Sequence, residues 1–275
     1  MAVFAERRRH RRGNRIAVQS QRLTSNVMSM SVPDPVHCSH VGIKFNADGS
    51  ARRYPGNTIS CHVAHDSRLW QTLRVARDGL ARTEGARCLT FLPPGSYHMT
   101  VFEGATDHVR VAGLWPSDVP LDAPLERCTK HLEQKLARFD MCCKMPLRMR
   151  VADRRDQDRP GVLVLTPFDG EENRKLRALR DRLSGLLMIR APIHNEYVFH
   201  ITLAYPVERM APACHEAFLA TQANEFAAVA HAVPVIELGL PSFCTFEDMH
   251  SFHAQRDLVS SLVPRAVTPA KGPRA

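Results

Sequence analysis

Two four-residue segments, His98-Met99-Thr100-Val101 and His200-Ile201-Thr202-Leu203, carry the same order of residue types: histidine, apolar, threonine, apolar. Each lies in a run that alternates as a β-strand does, over residues 97–102 and 197–205. Side chains on a strand alternate faces with period two, so each histidine shares a face with its threonine. Tyr97, Met99 and Val101 fill the other face of the first strand, and Phe199, Ile201 and Leu203 that of the second. Neutral imidazole accepts a proton and imidazolium gives one, and both forms are accessible near pH 7. Two such groups on opposite sides of a phosphodiester divide the labour: one activates water, the other protonates the leaving oxygen. The threonine hydroxyls donate to non-bridging oxygens as charge builds there.

Histidine followed two residues later by threonine or serine is a cheap match. It occurs four times here, at 37, 65, 98 and 200, in a chain of 275 residues with 14 histidines. Only the copies at 98 and 200 have threonine, apolar residues at the second and fourth positions, and an alternating context. A single strand histidine is usually a hydrogen-bonded core residue; two near-identical copies, one per half of the chain, point to shared chemistry. Glu103 follows the first motif, and strict alternation puts it on the opposite face. With no carboxylate at the next same-face position, the pattern implies neither metal nor other cofactor. The histidines near 37–40 and 62–65 leave a metallohydrolase as a competing reading.

The elements that must hold these strands come in a similar order twice. In the first half, strands are expected at 41–45 and 58–63, a helix capped by Asp66 with Leu69, Leu73, Ala76 and Leu80 inward, a strand at 88–92, and then the first histidine strand. In the second half, strands at 147–151 and 162–165 flank a charged loop. A helix from about 171 buries Leu176, Leu179, Leu183 and Leu186, and its basic face (Arg174, Lys175, Arg177, Arg180, Arg182) reads as solvated. The second histidine strand follows, then a helix at 214–230 and strands at 235–240 and 243–246. A helix at 125–139 links the halves. Several connections are hairpin-short, which favours an α+β fold of two related lobes with antiparallel sheets over a parallel array. The lobes divide at about 37–145 and 146–263, after a disordered basic extension, 1–36, and before a loose tail, 264–275.

The net charge of +9 invites a nucleic-acid reading, but its distribution opposes one. Residues 1–25 carry +6 and residues 265–275 carry +3, which leaves the body neutral. A neutral body suits a small phosphorylated substrate or one RNA end better than a long duplex. No apolar run is long enough for a membrane helix. The eight cysteines follow no zinc-binding spacing and read as reduced thiols. A cytoplasmic monomer is expected; a mitochondrial location is the alternative if the arginine-rich N-terminus is a transit peptide.

The paired motifs resemble those of the 2H phosphoesterase superfamily, which includes 2′,3′-cyclic nucleotide phosphodiesterases and RNA-ligase-like enzymes. The wider contexts, 92–104 (LPPGSYHMTVFEG) and 198–206 (VFHITLAYP), are similar to one branch of it, as are Gly42-Ile43-Lys44-Phe45 and Pro55-Gly56-Asn57-Thr58. The resemblance implies a cleft between pseudo-symmetric lobes, with His98 and His200 as the acid/base pair and Thr100 and Thr202 holding phosphate. By the same analogy Lys44, Asn57 and Thr58 contact substrate. Tyr97 and Tyr205 flank the motifs and either line the cleft or pack in the core. The expected activity is metal-independent opening of a 2′,3′-cyclic phosphate. The alternative is a module that binds the same nucleotide or RNA end without turning it over.

Overall fold

The computed structural model describes residues 36–262. The expected basic extension, with its transit-peptide reading, and the tail after residue 263 lie outside the described residues. The described residues form ten strands and four α-helices, in the order β1 (Gly56–His62), α1 (Arg68–Ala81), β2 (Leu89–Phe91), β3 (His98–Thr106), α2 (Leu125–Leu136), β4 (Leu147–Val151), β5 (Val162–Pro167), α3 (Gly170–Leu187), β6 (His200–Thr202), β7 (Ala204–Pro206), α4 (Pro212–Ala232), β8 (Ile236–Leu238), β9 (Ser242–Phe246) and β10 (His253–Asp257). This is the expected α+β architecture of two lobes. Every pairing between these strands is antiparallel.

Eight strands form one sheet in the order β10-β9-β1-β3-β6-β5-β4-β8, and β2 pairs with β7 in a small second sheet. The two histidine strands, β3 and β6, are adjacent at the centre, with four strands on either side of their seam. The division between lobes differs from the expected one. β9 pairs with β1, so the last two strands cross back to complete the first lobe. Residues 41–45, expected as a strand, form turns with isolated bridges, because their backbone bonds close locally onto the carbonyls of His40 and Phe45.

The apolar stripes pack as their spacing dictates. Leu69, Leu73, Ala76 and Leu80 of α1 are buried, and so are Leu176, Leu179 and Leu183 of α3; at the end of that stripe Leu187 is buried and Leu186, expected inward, is only partly so. Ser67, not Asp66, caps α1: its side chain accepts from the Trp70 amide, while Asp66 takes a left-handed φ of 65°. On α3 the Asp169 side chain accepts from the Glu172 amide at 2.8 Å. The basic face of α3 is not solvated throughout. Arg180 is 1% exposed and donates to the Val101 carbonyl at 2.6 Å, which ties α3 to the back of β3.

The second histidine strand is broken after Thr202, and the break has a backbone cause. The amides of Leu203 and Ala204 both donate to the Gly161 carbonyl. Gly161 has φ +75°, and a Cβ there would stand 2.6 Å from the Ala204 carbonyl oxygen. That jog releases β7 to pair with β2. Gly161→Ala should therefore lower stability by at least about 1–2 kcal/mol, from left-handed strain plus a backbone clash. A Tm drop of several degrees in thermal unfolding is expected; an unchanged Tm would show that the jog relaxes freely.

Candidate active site

Met99 pairs directly with Ile201 where β3 meets β6. In an antiparallel ladder this sets His98 opposite Thr202 and Thr100 opposite His200. Met99, Ile201, Val101 and Leu203 are all 0% exposed, while the four motif side chains are half-buried on the other face. The two imidazoles are thus diagonal neighbours, with backbones roughly 7–8 Å apart. That separation leaves room for one tetrahedral phosphate between them.

The histidines are held in the same way. His98 Nδ1 lies 2.7 Å from the Ser96 carbonyl and His200 Nδ1 lies 2.8 Å from the Val198 carbonyl. A carbonyl only accepts, so in both rings Nδ1 carries the hydrogen and Nε2 presents its lone pair outward. Burial lowers both pKa values. His98 falls to about 4, the Ser96 carbonyl opposing the shift and His62 adding to it. His200 falls to about 3, with Arg159 as a second cause and His98 and Lys44 adding to it. The Phe252 ring lies 4.1 Å from that of His98, and the His62 ring 6.2 Å away.

Glu103 is the largest departure from simple alternation. Thr100 pairs with Ser60 and Phe102 with Ile59, so Val101 is an extra residue on β3. Thr58 and Ser60 share a face of β1, and Glu103 pairs with Thr58. The bulge therefore returns Glu103 to the face of Thr100, correcting the expectation that it faces away. Burial raises its pKa, while Arg180 and Lys44 pull it down. The Lys44 ammonium lies 5.2 Å from the ring centroids of both Tyr54 and Tyr205. Burial raises the pKa of Tyr197, with Glu103 adding to the shift and Arg180 and Thr100 opposing it.

The structure brings His98, Thr100, His200, Thr202, Lys44 and Tyr205 to one region, and adds Glu103, Tyr197 and Arg159. It sends two expected residues elsewhere. Asn57 is 1% exposed: its side-chain oxygen accepts from the Ala105 amide and its nitrogen donates to Thr129 of α2. One end of the amide ties β1 to β3 and the other ties β1 to α2, and the side chain is shut off from solvent. Tyr97 is 1% exposed on the apolar face, its hydroxyl without a hydrogen-bond partner among the described residues. It is a core residue, because a position next to His98 points the opposite way. Thr58 is buried and donates to the Phe102 carbonyl at 3.1 Å. Among the described residues no three His, Cys, Asp or Glu side chains converge as metal ligands. Nor, among them, is any helix long and apolar enough to cross a membrane.

A family model described as 2H-phosphodiest, domain of unknown function (DUF1868), matches residues 44–159, a span that includes the first motif. The chain is also similar to a crystal structure of a conserved protein of unknown function, ATU0111, from Agrobacterium tumefaciens strain C58. The two are 30% identical with a TM-score of 0.77, over 86% of this chain and 98% of that one. This chain belongs to the 2H phosphoesterase-like family. No curated protein matches it.

The depressed histidine pKa values make stability depend on pH. Between about 6.5 and about 4 an unfolded histidine is protonated while His98 and His200 stay neutral in the fold. The unfolded state then binds more protons, so acidification through this window costs stability, by up to about 1.4 kcal/mol per pH unit for each histidine. Denaturant unfolding should show stability falling as pH drops from 6.5 to 4. The fall should be shallower in the His98→Asn/His200→Asn double variant. Equal slopes in the two proteins would mean that these rings titrate normally.

Proposed function

We propose that this protein is a metal-independent phosphodiesterase that opens a 2′,3′-cyclic phosphate on a nucleotide or RNA end. The observation that carries this reading is the mirrored pair of imidazoles, each fixed by an i−2 carbonyl and each with a threonine beside it. In the forward reaction the phosphodiester lies between the two Nε2 atoms. One neutral imidazole takes a proton from water as the water oxygen bonds to phosphorus. The other, as imidazolium, gives its proton to the departing ribose oxygen as that P–O bond breaks. One ring gains a proton and the other loses one, and solvent exchange restores both. Thr100 and Thr202 donate to the non-bridging oxygens, where negative charge grows in the pentacoordinate transition state. Lys44 adds a fixed positive charge at the rim.

Family membership supports phosphoester chemistry; the substrate and the residue roles are our reading. A small substrate is expected, with no long duplex as partner. His98→Ala or His200→Ala should lower turnover of 2′,3′-cyclic mononucleotides by on the order of 10²–10⁴. Thr100→Val or Thr202→Val should cost about ten-fold or more. Turnover should persist with chelator present. Wild-type rates in both histidine variants would end the acid–base assignment. Binding of the nucleotides without any product would favour the binding-module alternative.

The free protein must also gain one proton before it can act. Both histidines are neutral at pH 7, so kcat/KM should rise as pH falls from 8 towards 5. Initial rates across that range test this, and a flat profile would place the acid elsewhere.

A further inference from the structure

The loop joining β4 to β5 is closely fastened. Gln157 is 4% exposed: its side chain donates to the Ala152 and Val164 carbonyls and accepts from the Val164 amide. Gln222 of α4 is 0% exposed, accepts from the Gly161 amide, and donates to the Gln157 and Arg159 carbonyls. The Arg159 carbonyl also accepts from the Val162 amide at 3.2 Å. The Arg159 carbonyl is therefore held by two donors, Gln222 and the Val162 amide, within a loop whose flanks are fastened by Gln157, next to the position where β5 pairs with the second motif.

The Arg159 side chain contrasts with its backbone. It is half-buried, its Nη2 is shut off from solvent, and among the described residues its guanidinium has no hydrogen bond and no ion pair. It acts electrostatically on His200; burial disfavours its own charge, and Asp158, then Tyr197 and Tyr205, act on it in the opposite sense without closing an ion pair. A guanidinium offers five donors in a rigid fork matched to the oxygens of a phosphate. Partly desolvating those donors beside a neutral imidazole, on an immobilised loop, is unfavourable unless an anion completes the arrangement.

We propose that Arg159 is an anion-binding residue of the cleft, which grips the non-bridging oxygens of a bound phosphate from the His200 side. The proposal rests on the reading of the cleft as a phosphodiester site, and it makes that cleft asymmetric. The His200 side carries a cationic fork in addition to its threonine. The His98 side is bordered instead by His62 and Phe252. A phosphate is then drawn towards His200 and turns a defined edge towards His98.

The test uses the full chain with inorganic phosphate as the probe, followed by calorimetry and by imidazole NMR of His200. Arg159→Gln should weaken phosphate binding about ten-fold or more, and Arg159→Lys, which keeps the charge but not the fork, should fall between. In the free Arg159→Gln protein the His200 titration midpoint should rise, since a neighbouring cation is gone while His98 and Lys44 remain. A merely structural loop residue would not move that midpoint. Unchanged phosphate affinity in a folded Arg159→Gln protein, or an unmoved midpoint, would overturn the proposal. If Arg159→Gln fails to fold, Arg159→Lys decides alone: wild-type affinity overturns the proposal and weakened affinity upholds it. The hydrolase reading fails separately. Weakened phosphate binding in a protein that turns over no cyclic nucleotide would uphold Arg159 and reject that reading.

Discussion

The pairing of Met99 with Ile201 is the constraint on which the molecule depends. It is a short seam, since β6 spans only His200–Thr202, yet it joins four strands on one side to four on the other. It also sets the chemistry. Antiparallel register with period-two alternation puts two histidines and two threonines on one face, and four fully buried apolar residues on the other. A slip of one residue on either strand would turn that strand's histidine into the core and an apolar residue into the cleft. The hydrophobic contacts behind the seam are thus what guarantees the polar arrangement in front of it.

The polar arrangement is itself fixed by economical means. Each ring is oriented by a carbonyl two residues back on its own strand, so no further side chain is needed to hold it. Burial then keeps both rings neutral in the free protein. Charge nearby comes from elements that are held by unrelated contacts: Lys44 from the turns before β1, Glu103 from a bulge on β3, and Arg159 from a loop pinned by buried glutamines. The cleft is a convergence of these parts on the seam.

Much of this was legible in the sequence, for reasons that also explain what was not. Alternation over short runs identified the two histidine strands and their buried faces, and helical spacing found α1, α2 and α3. The fold class followed from short connections. Alternation fails where a strand carries an extra residue, and the Val101 bulge hid Glu103 for that reason. The Gly161 jog likewise hid the split into β6 and β7. Analogy supplied Lys44 and Asn57 as positions without saying which way each side chain points, whereas alternation had put Tyr97 on the apolar face and left it open between cleft and core. Asn57 proved a strand fastener and Tyr97 a core residue. Arg159 stood in a charged loop with nothing to distinguish it from its neighbours, because its meaning lies in Gln222, more than sixty residues away. The return of β9 and β10 to the first lobe is a long-range pairing that no local pattern announces.

That return has a consequence for how the chain is made. The outer edge of β1 is covered only when β9 arrives, 180 residues after β1 ends at His62. At ordinary rates of synthesis this interval is roughly 10–40 s. Throughout it the nascent first lobe displays an unpaired edge rich in β-formers, the kind of surface that recruits other chains. The growing polypeptide therefore passes through a window in which it needs protection, and the strands that close the window also bring Phe252 over His98.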